Sequence, residues 1–353
     1  MRSIIVTSTR PYTGKSGMAV ALASILTDRG MDVGYFKPYG SMPVVADGLT
    51  TDEDALYVNR TLPRPSEVAD VCPVVRTQGL IERVLSGGLF DETPRVLDAW
   101  TRCAQRRDVM IIEGPTEPFQ GACVGLSLTD VVQLFEAKVL LIDRPRPTDL
   151  PEDALAVSRQ LGGDLAGLLL NGIHESRLPV ARERILPFLE SRGIPTLGAI
   201  PFDPALGSVT IREIVEALDA VVITAEDRLD DTVEAFMVGA MGQEKALRFF
   251  RRKANKAVIT GGDRADVQLA ALETSTRAMV LTGNLPPDPF VATRAEELGV
   301  PMLMVDTDTL TAVERMEALL GRVHLHDPVK AARIRAMLER DCDLERLFAA
   351  IGL

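Results

Sequence analysis

The sequence has no paired cysteines. Cys72, Cys103, Cys123 and Cys342 are scattered along 353 residues. That excludes a zinc ribbon or a disulfide frame and leaves ordinary thiols of a reducing compartment. No apolar run reaches membrane-spanning length without charges, so no transmembrane helix and no membrane partner are expected. The N-terminus has no cationic, apolar, small-residue signal pattern. Ile4-Ile5-Val6 is a short strand running straight into a loop, and a cytoplasmic location is expected. Positive charge is in deficit, with a formal net charge of −11. A chain of that sign is not expected to hold nucleic acid on a broad electrostatic surface. A small anion remains open, because its site is built locally from backbone N–H groups and one or two cations. No Ser-His-Asp or Cys-His arrangement is legible either.

What is present describes a folded protein. Hydrophobic residues make up 46% and charged residues 25% of the chain, and its length exceeds one ordinary core, so two domains are expected. Short β-rich runs alternate with helical patterns. Strands are expected at Ser3 to Val6, Val33 to Phe36, Val109 to Ile112, Val139 to Ile142, Gly167 to Leu170 and Thr196 to Ile200. Amphipathic helices are expected at Gly17 to Arg29 and Arg95 to Arg106. Runs such as VMIIE and KVLLID are apolar throughout, which suits parallel strands covered on both faces. The Pro, Gly and Asp of "PFDPALGSVTIREI" mark a boundary near residue 208. Beyond it AVVIT, KAVIT, AMVLT and PMLMV read as four more strands, and Asp327 to Ile351 as a terminal helix pair. The expected fold is α/β: a parallel sheet with helices on both faces over residues 1–208, then a smaller α/β domain with C-terminal helices over 209–353. "VVITAEDR" weakly echoes "AVITGGDR", either as equivalent units or because buried strands ending at turns look alike.

The chemistry gathers at "TSTRPYTGKS", Thr7 to Ser16. Gly14-Lys15-Ser16 opens an amphipathic helix after a strand, the context of a phosphate-binding loop. The helix N-terminus offers unpaired N–H groups and the positive end of its dipole. Lys15 would reach the β- and γ-phosphates of a nucleotide and the Ser16 hydroxyl would ligate Mg²⁺. The usual spacing places the first glycine where Thr9 stands, so the generic motif fails.

A longer loop fits, and "VTSTRPYTGKS" resembles the opening of dethiobiotin synthetase. "GYFKPYGS", "TTDEDAL", "VMIIEG", "LLLNG" and "GAIPFDP" follow in order and resemble later segments of that family. The match is nearer to the dethiobiotin-synthetase-like N-terminal region of long phosphotransacetylases, and covers about residues 1–208. It implies MgATP as cofactor. The nucleotide would be held by Thr9, Arg10, Thr13, Gly14, Lys15, Ser16 and Gly17 of the loop, and by Asn171 and Pro201, with Phe202, near the base. Lys15 and Lys37 would be the catalytic cations, and Ser16, Asp54 and Glu113 the metal's oxygen ligands, suited to a hard cation. Relatives also imply a homodimer or larger homo-oligomer.

Each residue has a plainer reading. Lys37 before Pro38 reads equally as a solvated strand-end lysine, and Asp54 as part of an exposed helix start. Glu113 is more pointed, because a carboxylate after an apolar strand must be paired or functional. The sequence also departs from the family. Ser8 stands for its loop glycine and Arg10 for its acidic residue, and Pro11 donates no N–H. After Glu113, where dethiobiotin synthetase uses a glycine-rich turn to cradle a carboxylate, the turn reads Gly114-Pro115-Thr116-Glu117. Glu117 would repel an anion there. Neither a glutamine-amidotransferase domain nor an acetyl-transferring domain is expected within the 353 residues.

In the second domain "AVITGGDRADVQLAALE" resembles the DRTGG domain, with its naming motif altered. The resemblance implies a regulatory module. Gly261 and Gly262 would let the backbone approach a small-molecule effector, Asp263 would cap the next helix, and Arg264 would lie beside them. A plain turn with a surface salt bridge is the other reading. His324, His326 and Asp327 read as a loop rather than a metal site, His174 as a surface histidine and Trp100 as core. Two functions are open, beside a purely structural scaffold in which the loop is a remnant. One is a regulatory MgATP-binding protein with slow ATPase activity. The other is an ATP-dependent ligase that activates a carboxylate or CO₂.

Overall fold

The computed structural model describes residues 1–87, 91–145, 150–321 and 328–353. It divides into two compact units, Met1–Phe202 with Leu325–Leu353, and Asp203–His324.

The first unit is built on a six-stranded sheet. Its order is Thr196–Pro201, Leu165–Ile173, Lys138–Asp143, β1 (Arg2–Ser8), Val109–Glu113 and β2 (Val33–Phe36). Every pairing is parallel. The strands are apolar on both sides because both faces are covered: Ile4, Ile5, Val6 and Val109 to Ile112 are all buried. Trp100 packs in that core, its ring centroid 5.4 Å from that of Phe36 and 4.5 Å from that of Phe135. The central strand β1 feeds the helix α1 (Lys15–Asp28) through the loop at residues 9–14. The carboxyl ends of β1, Val109–Glu113 and β2 lie side by side, with Val6 opposite Glu113 and Lys37 following Phe36. In an open α/β sheet this edge is where ligands bind.

The C-terminal helices correct the expected domain division. Pro328–Asp341 packs against α1, and Leu344–Ala350 lies against the outer strands of the first sheet. Asp343 N–H donates to Leu197 O at 2.7 Å, and Arg346 pairs with Glu190 at 2.6 Å. The second unit is therefore an insertion between the sheet and its last helices, which strand–helix alternation along the sequence cannot reveal.

The second unit has its own five-stranded sheet, in the order Val221–Val222, Met302–Met304, Thr276–Thr282, Lys256–Gly261, Ala235–Val238. The last four run parallel. Val221–Val222 runs antiparallel at the edge, so the echo between "VVITAEDR" and "AVITGGDR" does not mark equivalent units. Val221 is 56% exposed, whereas Ala257, Val258 and Ile259 are fully buried. The Ala235–Val238 strand is not among the expected ones, and its residues are mostly half-buried with little alternation. No helix among the described residues is long and apolar enough to cross a membrane.

Candidate functional site

Gly14 caps α1 in the left-handed conformation, φ 89°, and no side chain occupies the cap. The first-turn amides thus lack both intrahelical acceptors and a capping oxygen. A Cβ at Gly14 would lie 2.7 Å from Asn171 Nδ2, so only glycine suits both the backbone and the space. Tyr12 also has a positive φ, 58°. Left-handed residues alternating with others turn successive N–H groups toward one concavity. The Thr13 hydroxyl is buried within this loop and has no hydrogen-bond partner.

Glu113 is the hub. Its Oε1 lies 3.0 Å from Lys15 Nζ, 3.2 Å from Lys37 Nζ and 3.0 Å from the Ser16 hydroxyl. Its Oε2 accepts the Tyr35 hydroxyl at 2.8 Å. The Ser16 hydroxyl is also 3.0 Å from Asp54 Oδ2, and its single proton serves one carboxylate at a time. Lys37 Nζ is 2.6 Å from Asp52 Oδ1 and 3.8 Å from Asp54 Oδ2. Thus Lys15, Ser16, Lys37, Asp54 and Glu113 form one cluster. Lys37 is 3% exposed, which removes its reading as a solvated strand-end lysine.

Burial alone would raise the Glu113 carboxyl, but Lys15 and Lys37 beside it bring it down to about 2. Burial opposes the charge on Lys37, yet Glu113, Asp52 and Asp54 together hold it well above the ordinary lysine value. The Asp54 carboxyl is raised, by burial and then by Glu113 and Asp52 against the pull of Lys37. Asp54 is thus the carboxylate that an added cation would relieve. Among the described residues no three His, Cys, Asp or Glu side chains are arranged to hold a metal alone. Asp54, Glu113 and Ser16 are a donor set that fits Mg²⁺ only with further oxygens from a ligand or water.

Other expected site residues brace the loop or line the neighbouring cavity. The Thr9 hydroxyl donates to Asp143, so it secures the start of the loop. Arg10 pairs with Asp153, which commits its charge. Asn171 donates to Thr13 O at 2.7 Å, bracing the loop from below. Gly17 is buried in α1. Pro201 ends its strand half-buried, and Phe202 lines a cavity of about 800 Å³ with Tyr12, Thr13, Glu117, Arg144 and His174. Arg144 stands over the Phe202 ring, 5.4 Å from its centroid. In the altered turn, Thr116 N–H donates to Gln120 Oε1 at 3.0 Å, and Pro115 O accepts the Thr7 hydroxyl at 3.1 Å.

Two further side chains border the cluster and are not among the residues to which the sequence points. Asp52, fully buried, caps the Glu53–Thr61 helix by accepting from Ala55 N–H at 3.1 Å and also binds Lys37. An aspartate just before a helix start was the available signal. Tyr35 sits within a strand pattern, where the one signal is that a buried phenol needs a partner.

In the second unit, packing accounts for Gly262. A Cβ at Gly262 would lie 1.9 Å from Leu285 O. Gln268 Nε2 donates to the carbonyls of Gly261 and Gly262 at 2.9 and 3.0 Å. Arg264 pairs with Asp266 at 3.0 Å and donates to Met241 O. Asp263 is exposed and does not cap the next helix, whose N-cap is Arg264 without a side-chain bond. His324, His326 and Asp327 lie outside the described residues.

A family model described as an AAA domain, AAA_26, matches residues 2–210, more than half of the chain. The chain belongs to this family. Behind its AAA domain, residues 213–319 match the DRTGG domain. The AAA and DRTGG domains together are similar to phosphate acetyltransferase of Pseudomonas aeruginosa, 26% identical across all of this chain and 52% of that protein. The same enzyme of Synechocystis sp. is 25% identical over 98% of this chain and 51% of its own. The AAA domain alone is similar to ATP-dependent dethiobiotin synthetase of Bacillus licheniformis, 26% identical over 57% of this chain and 86% of that protein. The chain spans about half the length of the phosphate acetyltransferases it matches.

Proposed function

We propose that the AAA domain binds MgATP and hydrolyses it slowly, and that the DRTGG domain senses a small-molecule effector or mediates assembly. The observation that carries this reading is the convergence of Lys15, Lys37 and Ser16 on one oxygen of Glu113, beside an uncapped helix N-terminus. In the nucleotide-bound protein the two lysines would turn from Glu113 to the phosphates. Ser16, Asp54 and Glu113 would then hold Mg²⁺, which neutralises phosphate charge. The unpartnered Thr13 hydroxyl would gain a phosphate acceptor, and the cavity at Phe202 would seat the base. The name of the ATP-dependent relative supports ATP as the nucleotide.

A regulatory role is favoured over ligation by the turn after Glu113. Its Thr116 amide is already engaged by Gln120, and Glu117 lies exposed at the cavity wall, so a substrate carboxylate would meet a like charge instead of free donors. The retained lysine pair supports the ligase as the second reading, because cations at the transferring phosphoryl group serve both chemistries. ADP release separates them. A regulatory ATPase releases ADP at a slow rate that added carboxylic acids and bicarbonate leave unchanged. A ligase releases it only, or much faster, with its acid. We further propose a cytoplasmic homodimer or larger homo-oligomer; a monomeric mass by sedimentation equilibrium would reject the oligomer.

A further inference from the structure

Tyr35 is fully buried in the second strand of the sheet, one position before Phe36 and two before Lys37. Its hydroxyl donates to Glu113 Oε2 at 2.8 Å. All three groups of the phosphate-loop cluster that touch Glu113 touch the other oxygen, Oε1. The two oxygens of one carboxylate are therefore divided: one faces the loop, the other is tied to the sheet. Without the phenol, Oε2 would be a buried charged oxygen with one fewer donor. The carboxylate could then rotate or approach its cations through either oxygen.

We infer that Tyr35 is a positioning residue for the metal site: it fixes the plane of Glu113 so that Oε1, the oxygen that faces Lys15, Lys37 and Ser16, is the one presented to the cation. This rests on the reading of Ser16, Asp54 and Glu113 as ligands of a nucleotide-associated Mg²⁺. Groups behind a metal ligand act by orienting it, and their removal typically lowers metal affinity about 10–100-fold. The same change leaves phosphate contacts made by backbone amides and lysines in place. Tyr35 thus separates the metal's share of binding from the loop's.

The experiment compares wild-type protein with Tyr35→Phe by calorimetric titration of ADP in EDTA, and of Mg²⁺ into the ADP-saturated protein. The expected result is metal-free ADP affinity within about twofold of wild type and Mg²⁺ half-saturation raised about tenfold or more. Unchanged Mg²⁺ half-saturation in a folded Tyr35→Phe protein overturns the positioning role. Equal loss of ADP and Mg²⁺ binding also overturns it, because that is a general disturbance of the loop. If wild type binds no nucleotide, the MgATP reading fails first, and the failure is distinguishable from the failure of Tyr35. Fluorotyrosine incorporated at position 35 guards against a Phe variant that does not fold. Its ¹⁹F signal is expected to shift when Mg²⁺ joins the ADP complex, and a signal indifferent to Mg²⁺ contradicts the inference.

Discussion

Lys37 Nζ lies 2.6 Å from Asp52 Oδ1, and both residues are buried. The same ammonium is 3.2 Å from Glu113, so one cation holds two carboxylates from different elements. Removing it leaves both with less compensation in a medium where charge is costly. Breaking a buried pair from one side costs about 3–5 kcal/mol. Lys37→Met is expected to lower the stability of the AAA domain by that order, read as a fall in the urea midpoint at neutral pH. A variant as stable as wild type would mean the pair is solvated in solution.

Acid should find Glu113 next. Its folded value is about 2 against an ordinary 4.5, so the folded state binds its proton less readily than the unfolded one. Its contribution to stability is full above the ordinary value and is lost as pH falls through the folded value. The raised Asp54 works the other way and offsets part of the loss. Lys37, held above its ordinary value, contributes fully below that value and loses the contribution only as pH rises through its folded value, far on the alkaline side. Urea midpoints measured from about pH 7 down to about pH 3 are expected to fall, with a shallower fall in Glu113→Gln. Equal slopes in the two proteins would count against Glu113 as the acid-sensitive group.

Gly14 should tolerate no side chain. Alanine there meets both a left-handed backbone and Asn171 Nδ2 at 2.7 Å. The backbone strain alone is about 1–2 kcal/mol. Gly14→Ala is expected to lower the melting temperature modestly and to weaken nucleotide binding strongly, since the loop must shift to accept it. Normal binding by Gly14→Ala would place the phosphates elsewhere.

Gly262→Ala tests whether packing requires a glycine at this turn of the DRTGG domain. The added carbon would sit 1.9 Å from Leu285 O, a backbone atom that cannot swing away. Over-packing of this kind costs about 1–3 kcal/mol. Faster proteolysis within residues 213–319 is the expected outcome. A variant as resistant as wild type would show that the Leu285 segment moves freely, and would return Gly261 and Gly262 to consideration as an effector contact.

Much of this arrangement was legible from local signals. Apolar runs marked the parallel strands, and Gly14-Lys15-Ser16 marked the loop, because strand burial and helix N-termini leave short-range patterns. Glu113 was legible because a carboxylate ending "VMII" has few bland explanations. The commitments of Arg10 to Asp153 and of Thr9 to Asp143 were not legible, since their partners lie more than a hundred residues away. Tyr35 and Asp52 were missed for a related reason. Each looks like an ordinary strand or cap residue until the sheet sets it against Glu113 or Lys37. The return of residues 328–353 to the first unit was invisible for the same cause: nothing within a helix names the surface it will cover.

Everything proposed for the AAA domain depends on whether "TSTRPYTGKS" holds a triphosphate despite Ser8 and Pro11. Calorimetric titration of MgATP into the intact protein, with Lys15→Ala alongside, answers that. The predicted result is a micromolar dissociation constant for wild type, weakened by about a hundredfold or lost in Lys15→Ala, a change of about 2.7 kcal/mol or more. Absence of binding in wild type, or equal binding in the variant, would contradict a working phosphate loop and leave Lys15 as no more than the buried partner of Glu113.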